Sequence, residues 1–134
     1  MKIIDGTGAV LGRLASFVAK QALKGEEFVI LNCDKIIITG NKKMIKKEFE
    51  ETRTKVGSGQ KGPKISRTSE KIVKRTIRGM LPNHRKGRGK EVFAKIKCYS
   101  GVPKEFEESK KILAGRTPGI PTKSKLVRVE ELFK

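Results

Sequence analysis

Four apolar residues in a row, Phe28-Val29-Ile30-Leu31, constrain the fold of this chain more than any other feature. They stand between Glu26-Glu27 on one side and Asn32 and Asp34 on the other. In an extended strand successive side chains point to opposite faces, so a run with no polar member needs apolar cover on both. It predicts a central strand over Glu27 to Asn32, in a sheet enclosed by further layers.

The flanking segments fit that frame. Lys2 to Asp5 is β-rich at Ile3 and Ile4 and ends at the Gly6-Thr7-Gly8 turn. From Val10 to Lys24, Leu11, Leu14, Ala15, Val18 and Ala22 recur at helical spacing, with Gly25 as the stop. Lys35 to Thr39 predicts a third strand through Ile36, Ile37 and Ile38. Asn41 to Thr54 returns to helix, with Ile45 and Phe49 on one side and Lys42, Lys43, Lys46 and Lys47 around the rest. Val56 to Ser66, with its glycines and Pro63, predicts an extended basic loop. Ser69 is the expected N-cap of a helix whose apolar face is Ile72, Val73, Ile77, Met80 and Leu81, ended by Pro82. Asn83 to Gly89 predicts a second, flexible loop, Glu91 to Lys95 a helical turn and Ile96 to Tyr99 a fourth strand. Beyond Gly101 the chain predicts a charged helix-prone piece (Lys104 to Leu113), a Gly- and Pro-punctuated connector (Gly115 to Pro121) and a small C-terminal helix around Val129 to Phe133. This order points to an α/β fold, a three-layer α/β/α arrangement with a mainly parallel central sheet of about four strands. Residues 1–134 are expected to form one domain with a basic loop and a C-terminal extension.

Charge narrows the function. Between Thr52 and Lys90 stand thirteen Lys and Arg residues and one acid, Glu70, which is +12 of the formal +18 on 134 residues. Such an excess repels itself in a compact state and calls for a polyanion. Apolar residues are interleaved through much of it, so the excess belongs to a folded domain and reads as a nucleic-acid surface. A membrane-surface protein would need one basic amphipathic helix with Trp or Phe on its apolar face, and the chain has no Trp. No run of eighteen apolar residues and no leader-type segment occurs, so a cytosolic protein is expected. Aromatic content is 5%, and Phe28, Phe49 and Phe93 read as core. That disfavours a base-stacking platform and favours phosphate and shape recognition of structured RNA.

Within the block, Lys71, Lys74, Arg75 and Arg78 recur at three- and four-residue spacing, largely opposite Ile72, Val73 and Ile77. One face can pack while the other follows phosphates. His84, Arg85, Lys86, Arg88 and Lys90 follow on the loop, where Gly87 and Gly89 let backbone come close to a sugar-phosphate chain. Arg13 at the start of the first helix and Lys42 after the Thr39-Gly40 turn complete the candidates.

Enzymatic readings find little. Gly6-x-Gly8 follows a strand and opens a helix, and Asp34 follows the second strand, near where a dinucleotide-binding fold puts its ribose-binding acid. The third glycine fails, because position 11 is Leu. A nucleotide-dependent enzyme using that turn and Asp34 is the alternative reading. No phosphate loop of the Gly-Lys-Ser/Thr kind occurs. His84 is the sole histidine, and Arg85 and Lys86 beside it fit a phosphate or base contact better than a general base. Glu50-Glu51, Glu107-Glu108 and Glu130-Glu131 are adjacent pairs, which do not face each other on a helix. Cys33 and Cys98, with no second Cys or His at ligand spacing, read as reduced cysteines at least partly in a core. No cofactor, metal or small-molecule substrate is implied.

Two segments go further. Val10-Leu11-Gly12-Arg13-Leu14-Ala15-Ser16, after Asp5-Gly6 and before Ala19-Lys20, closely resembles the opening helix of the large-subunit ribosomal protein L-thirteen family. Arg78-Gly79-Met80-Leu81-Pro82 is similar to that family's central signature. Asn32, Thr39-Gly40-x-Lys42 and Tyr99-Ser100-Gly101 fall in the matching order, so the resemblance covers roughly residues 2 to 103. Val102-Pro103-Lys104-Glu105-Phe106 stands where bacterial members carry a His-Pro-His motif, so the chain resembles the archaeal type. The resemblance implies an α/β/α fold, no enzymatic activity, large-subunit rRNA and neighbouring ribosomal proteins as partners, and a place in the cytoplasmic ribosome.

Overall fold

The computed structural model describes residues 1–115 and 125–133, and the apolar run is a central strand of its main sheet. Strand β1 (Lys2–Asp5) leads through helix α1 (Leu11–Ala22) to β2 (Phe28–Leu31), and these two strands pair in parallel with Ile4 opposite Ile30. Helices α2 (Lys42–Thr54), α3 (Ser69–Met80) and α4 (Gly87–Ala94) precede β4 (Ile96–Cys98). Strand β5 (Lys111–Leu113) completes a four-stranded, all-parallel sheet in the order β4-β2-β1-β5. The α/β class and the parallel four-stranded sheet are as the sequence predicts.

Alternation along the strands divides the core. Ile4, Phe28, Ile30 and Ile96 face α1 and α3 and bury Leu14, Ala15, Val18, Val73 and Ile77 with them. Ile3, Val29 and Leu31 face the other way, against Tyr99, Val102 and Phe106. All four residues of β2 are buried, as the unbroken run demands. Among the described residues the second layer is thinner than a helical one. It consists of the segment from Tyr99 onward, with a 3-10 turn at Lys104–Phe106 and the Tyr99 and Phe106 rings 6.0 Å apart.

Six expectations need correction. The third strand, β3 (Ile37–Thr39), does not join the central sheet; it pairs antiparallel with β6 (Leu126–Arg128). Asn32 adopts a left-handed conformation (φ 53°), and the 3-10 turn Cys33–Lys35 swings the chain away as β2 ends. The fourth sheet strand comes instead from β5, inside the segment whose Lys and Glu content predicts helix. The register of Ile3 against Lys111 overrides that local propensity.

The expected loop from Asn83 to Gly89 is helical from Gly87 onward, and Gly89 is buried in α4. A Cβ at Gly89 would collide with the carbonyl oxygens of Pro82 and Asn83, so this glycine serves close packing on the preceding turn. The loop from Val56 to Ser66 is not extended either: Gly62 N–H donates to Val56 O at 2.7 Å around a 3-10 turn at Ser58–Gln60. Thr68, not Ser69, is the N-cap of α3. The C-terminal element is a 3-10 turn, Val129–Leu132, that buries Val129 and Leu132. From residue 116 the Gly- and Pro-punctuated connector lies outside the described residues.

Candidate nucleic-acid interface

Helix α3 is the centre of the basic block. Val73 and Ile77 turn inward, which leaves Lys71 and Arg75 exposed and Lys74 and Arg78 half-buried along the helix flanks. Arg75 reaches back to donate to Lys64 O at 3.4 Å, so the glycine-rich loop is tied to the helix. The Lys74 ammonium lies 4.9 Å from the centre of the Phe93 ring, and His84 meets that ring edge-on at 6.4 Å. His84 is therefore half-buried packing between α3 and α4. The order of the turn comes from Asn83, whose Oδ1 accepts from Arg85 N–H at 3.1 Å.

The other candidates separate by orientation. Arg85, Lys86 and Lys90 are exposed around the α3–α4 turn. Arg88 is also exposed, but its guanidinium donates to Leu23 O at the end of α1. Lys42 is in an ion pair with Glu131 at 2.5 Å, which ties α2 to the C-terminal turn. That ammonium holds the Glu131 carboxyl below the usual carboxylate range. Arg13 is exposed on the first turn of α1.

Where carboxylates stand matters most for the electrostatics. Lys2, Lys42, Lys47, Lys95 and Arg128, all outside the basic block, are each in an ion pair. Among the described residues, none of the thirteen cations between Thr52 and Lys90 pairs with a carboxylate. Their field is left to act outward.

The structure adds two residues that sequence reasoning missed. Lys97 and Tyr99, on and just after β4, line a groove of about 280 Å³ together with Glu70, Lys71, Lys74 and Cys98. The signal for Lys97 was its alternation with Ile96 and Cys98, which turns it outward from an edge strand. A second groove, of about 500 Å³, is lined by Asn41, Lys42, Lys43, Lys125 and Leu126.

The dinucleotide reading meets a filled site. Asp5 Oδ1 accepts from Thr7 N–H, the Thr7 hydroxyl and Asn32 Nδ2 at 2.8–3.0 Å, which locks the turn after β1. Gly6 packs so tightly that a Cβ there would lie 2.8 Å from Leu31 O. In front of α1, Val10 N–H donates to Gly115 O at 3.0 Å, and a Cβ at Gly115 would lie 2.8 Å from Leu14 N. The chain's own backbone thus occupies the place where a pyrophosphate would rest on such a helix. Asp34 turns a carboxylate oxygen into the interior. Cys33 and Cys98, distant in sequence, meet with both thiols free; the hydrogen bond that the Cys33 thiol shares with Cys98, with burial, pushes the Cys33 thiol far up. Among the described residues no group of three or more His, Cys, Asp and Glu side chains could hold a metal ion, and no helix is long and apolar enough to cross a membrane.

Comparison with known proteins agrees with the motifs. The family model for Ribosomal protein L13 matches residues 1–105. The chain is 48% identical over 115 residues to "Large ribosomal subunit protein uL13" of Methanocaldococcus jannaschii, covering 84% of this chain and 83% of that protein. It is 41% identical over 134 residues to the protein of the same name from Methanosarcina barkeri, covering 98% and 94%. With that of Thermoplasma acidophilum the identity is 44% over 110 residues, covering 82% and 79%.

Proposed function

This chain belongs to the ribosomal protein L13 family, and from that membership we propose that it binds and stabilises folded large-subunit rRNA by phosphate neutralisation and shape recognition. It is a structural, non-enzymatic constituent of the large subunit and works in the cytoplasmic ribosome. The observation that carries the RNA reading is the set of thirteen cations between Thr52 and Lys90, none paired with a carboxylate among the described residues. An unpaired field of this size attracts phosphates and releases their counterions.

The residues assigned to the RNA are Lys71, Lys74, Arg75, Arg78, Arg85, Lys86 and Lys90, presented by α3, the turn after it and the start of α4. Arg13 and Lys42 are outlying contacts, and Lys42 reaches RNA only by sharing its ammonium with Glu131. Arg88 and His84 act chiefly by holding the turn in place. Neighbouring ribosomal proteins are the further partners, and the whole chain serves as one binding unit.

Titration of the protein with large-subunit rRNA fragments at several salt concentrations tests the reading. With about six phosphates neutralised, log K against log salt has a slope of about −5. A slope near zero overturns it.

A further inference from the structure

We propose that the groove between α3 and the open edge of β4 is a ribose-phosphate subsite, where Lys71, Lys74 and Lys97 hold phosphates and Glu70 accepts a hydrogen bond from a ribose 2′-hydroxyl. This deepens the RNA reading and rests on it.

Among the described residues the groove runs along an open sheet edge, because β4 is the last strand in the order β4-β2-β1-β5. Tyr99 N–H donates to Ile30 O at 2.9 Å, and Phe28 N–H donates to Lys95 O at 3.3 Å. In a parallel ladder alternate residues bond the same neighbour, so Lys95, Lys97 and Tyr99 address β2 and the Cys98 backbone N–H points to the open edge. Lys71 and Lys74 of α3 and Lys97 and Cys98 of β4 line this one groove. Among the described residues none of the three lysines is paired with a carboxylate.

Glu70 gives the groove its discrimination. It is the single acid between Thr52 and Lys90, it lines this groove, and it forms no ion pair with the lysines beside it. A phosphate has only acceptors and gains nothing from a carboxylate. A ribose 2′-hydroxyl donates, and it is the group that separates RNA from DNA. A groove with donors for phosphate and one acceptor for hydroxyl matches the alternation along an RNA strand.

The full chain is titrated with a large-subunit rRNA fragment and with DNA of the same sequence. Lys97→Ala is expected to make the salt slope shallower by about 0.7 to 0.9, one phosphate's share. Glu70→Ala is expected to lower the preference for RNA over DNA several-fold. An unchanged preference overturns the hydroxyl contact and leaves Glu70 as a favourable charge in the first turn of α3. The unaltered protein supplies a second readout through its thiols: Cys98 lines the groove half-buried while Cys33 is fully buried. Bound RNA is expected to slow alkylation of Cys98 several-fold. An unchanged alkylation rate, or a Lys97→Ala slope equal to that of the parent, overturns the subsite while the broader RNA reading stands. Failure of the unaltered protein to bind RNA overturns both.

Discussion

The Lys74 ammonium on α3 sits 4.9 Å from the centre of the Phe93 ring on α4. Phe93 is half-buried against the main core, and this contact and the His84 edge clamp the shorter helix to the longer one. The basic turn between them is ordered in addition by the Arg85 N–H bond to Asn83 Oδ1.

Phe93→Leu keeps apolar bulk but removes the ring. It is expected to lower stability by about 1–2 kcal/mol, from the lost cation–π and edge-to-face contacts. Urea unfolding of the two proteins checks this, and equal midpoints and slopes would show that the ring contacts contribute nothing.

Arg85 and Lys86 should behave differently from Arg88, although all three lie within four residues. Replacing Arg85 and Lys86 with Ala is expected to weaken rRNA binding while stability shifts by no more than about 0.5 kcal/mol, as for exposed sites. Arg88→Ala removes the donor to Leu23 O and is expected to lower stability by about 1 kcal/mol. Thermal melts beside RNA titrations separate the two effects.

Two helical glycines are expected to respond to alanine with opposite signs. A Cβ at Gly12 meets nothing within 4 Å, so Gly12→Ala on exposed α1 surface should stabilise by about 0.5–1 kcal/mol. At Gly89 the Cβ meets the Pro82 and Asn83 carbonyls, which are backbone and cannot swing aside. Gly89→Ala should destabilise by about 1–3 kcal/mol, the usual range for overpacking. Chemical denaturation of both variants gives the signs directly.

The Lys42–Glu131 pair makes stability depend on acid. The carboxyl of Glu131 is held below its ordinary range by the Lys42 hydrogen bond, so its folded-state value lies beneath its unfolded one. Its stabilisation is therefore present above the unfolded-state value and is lost as pH falls through the depressed one. Both side chains are partly exposed, so the effect is modest and salt weakens it. In Glu131→Gln this part of the acid dependence disappears. Unfolding midpoints of parent and variant should differ at neutral pH and converge in acid; parallel pH profiles would contradict the coupling.

Whatever depends on neighbours within a turn or two is legible in the order of the residues. The run from Phe28 to Leu31 demanded cover on both faces and has it. The spacing of Leu14, Val18, Val73 and Ile77 set the inner faces of α1 and α3, and the missing acids between Thr52 and Lys90 marked the basic surface. What depends on distant partners is settled only once the chain has folded. The strand at β3 is legible in its three isoleucines but its partner is not, while β5 and β6, of three residues each, form because β1 and β3 offer them a register. Gly87 and Gly89 carry the composition of a flexible loop, yet Gly89 is where α4 rests on the carbonyls of the turn before it. Lys97 joined Lys71 and Lys74 only when β4 became the sheet edge beside α3. Periodicity records which side of an element is apolar, whereas pairing and close approach depend on residues far along the chain that meet only in the folded state.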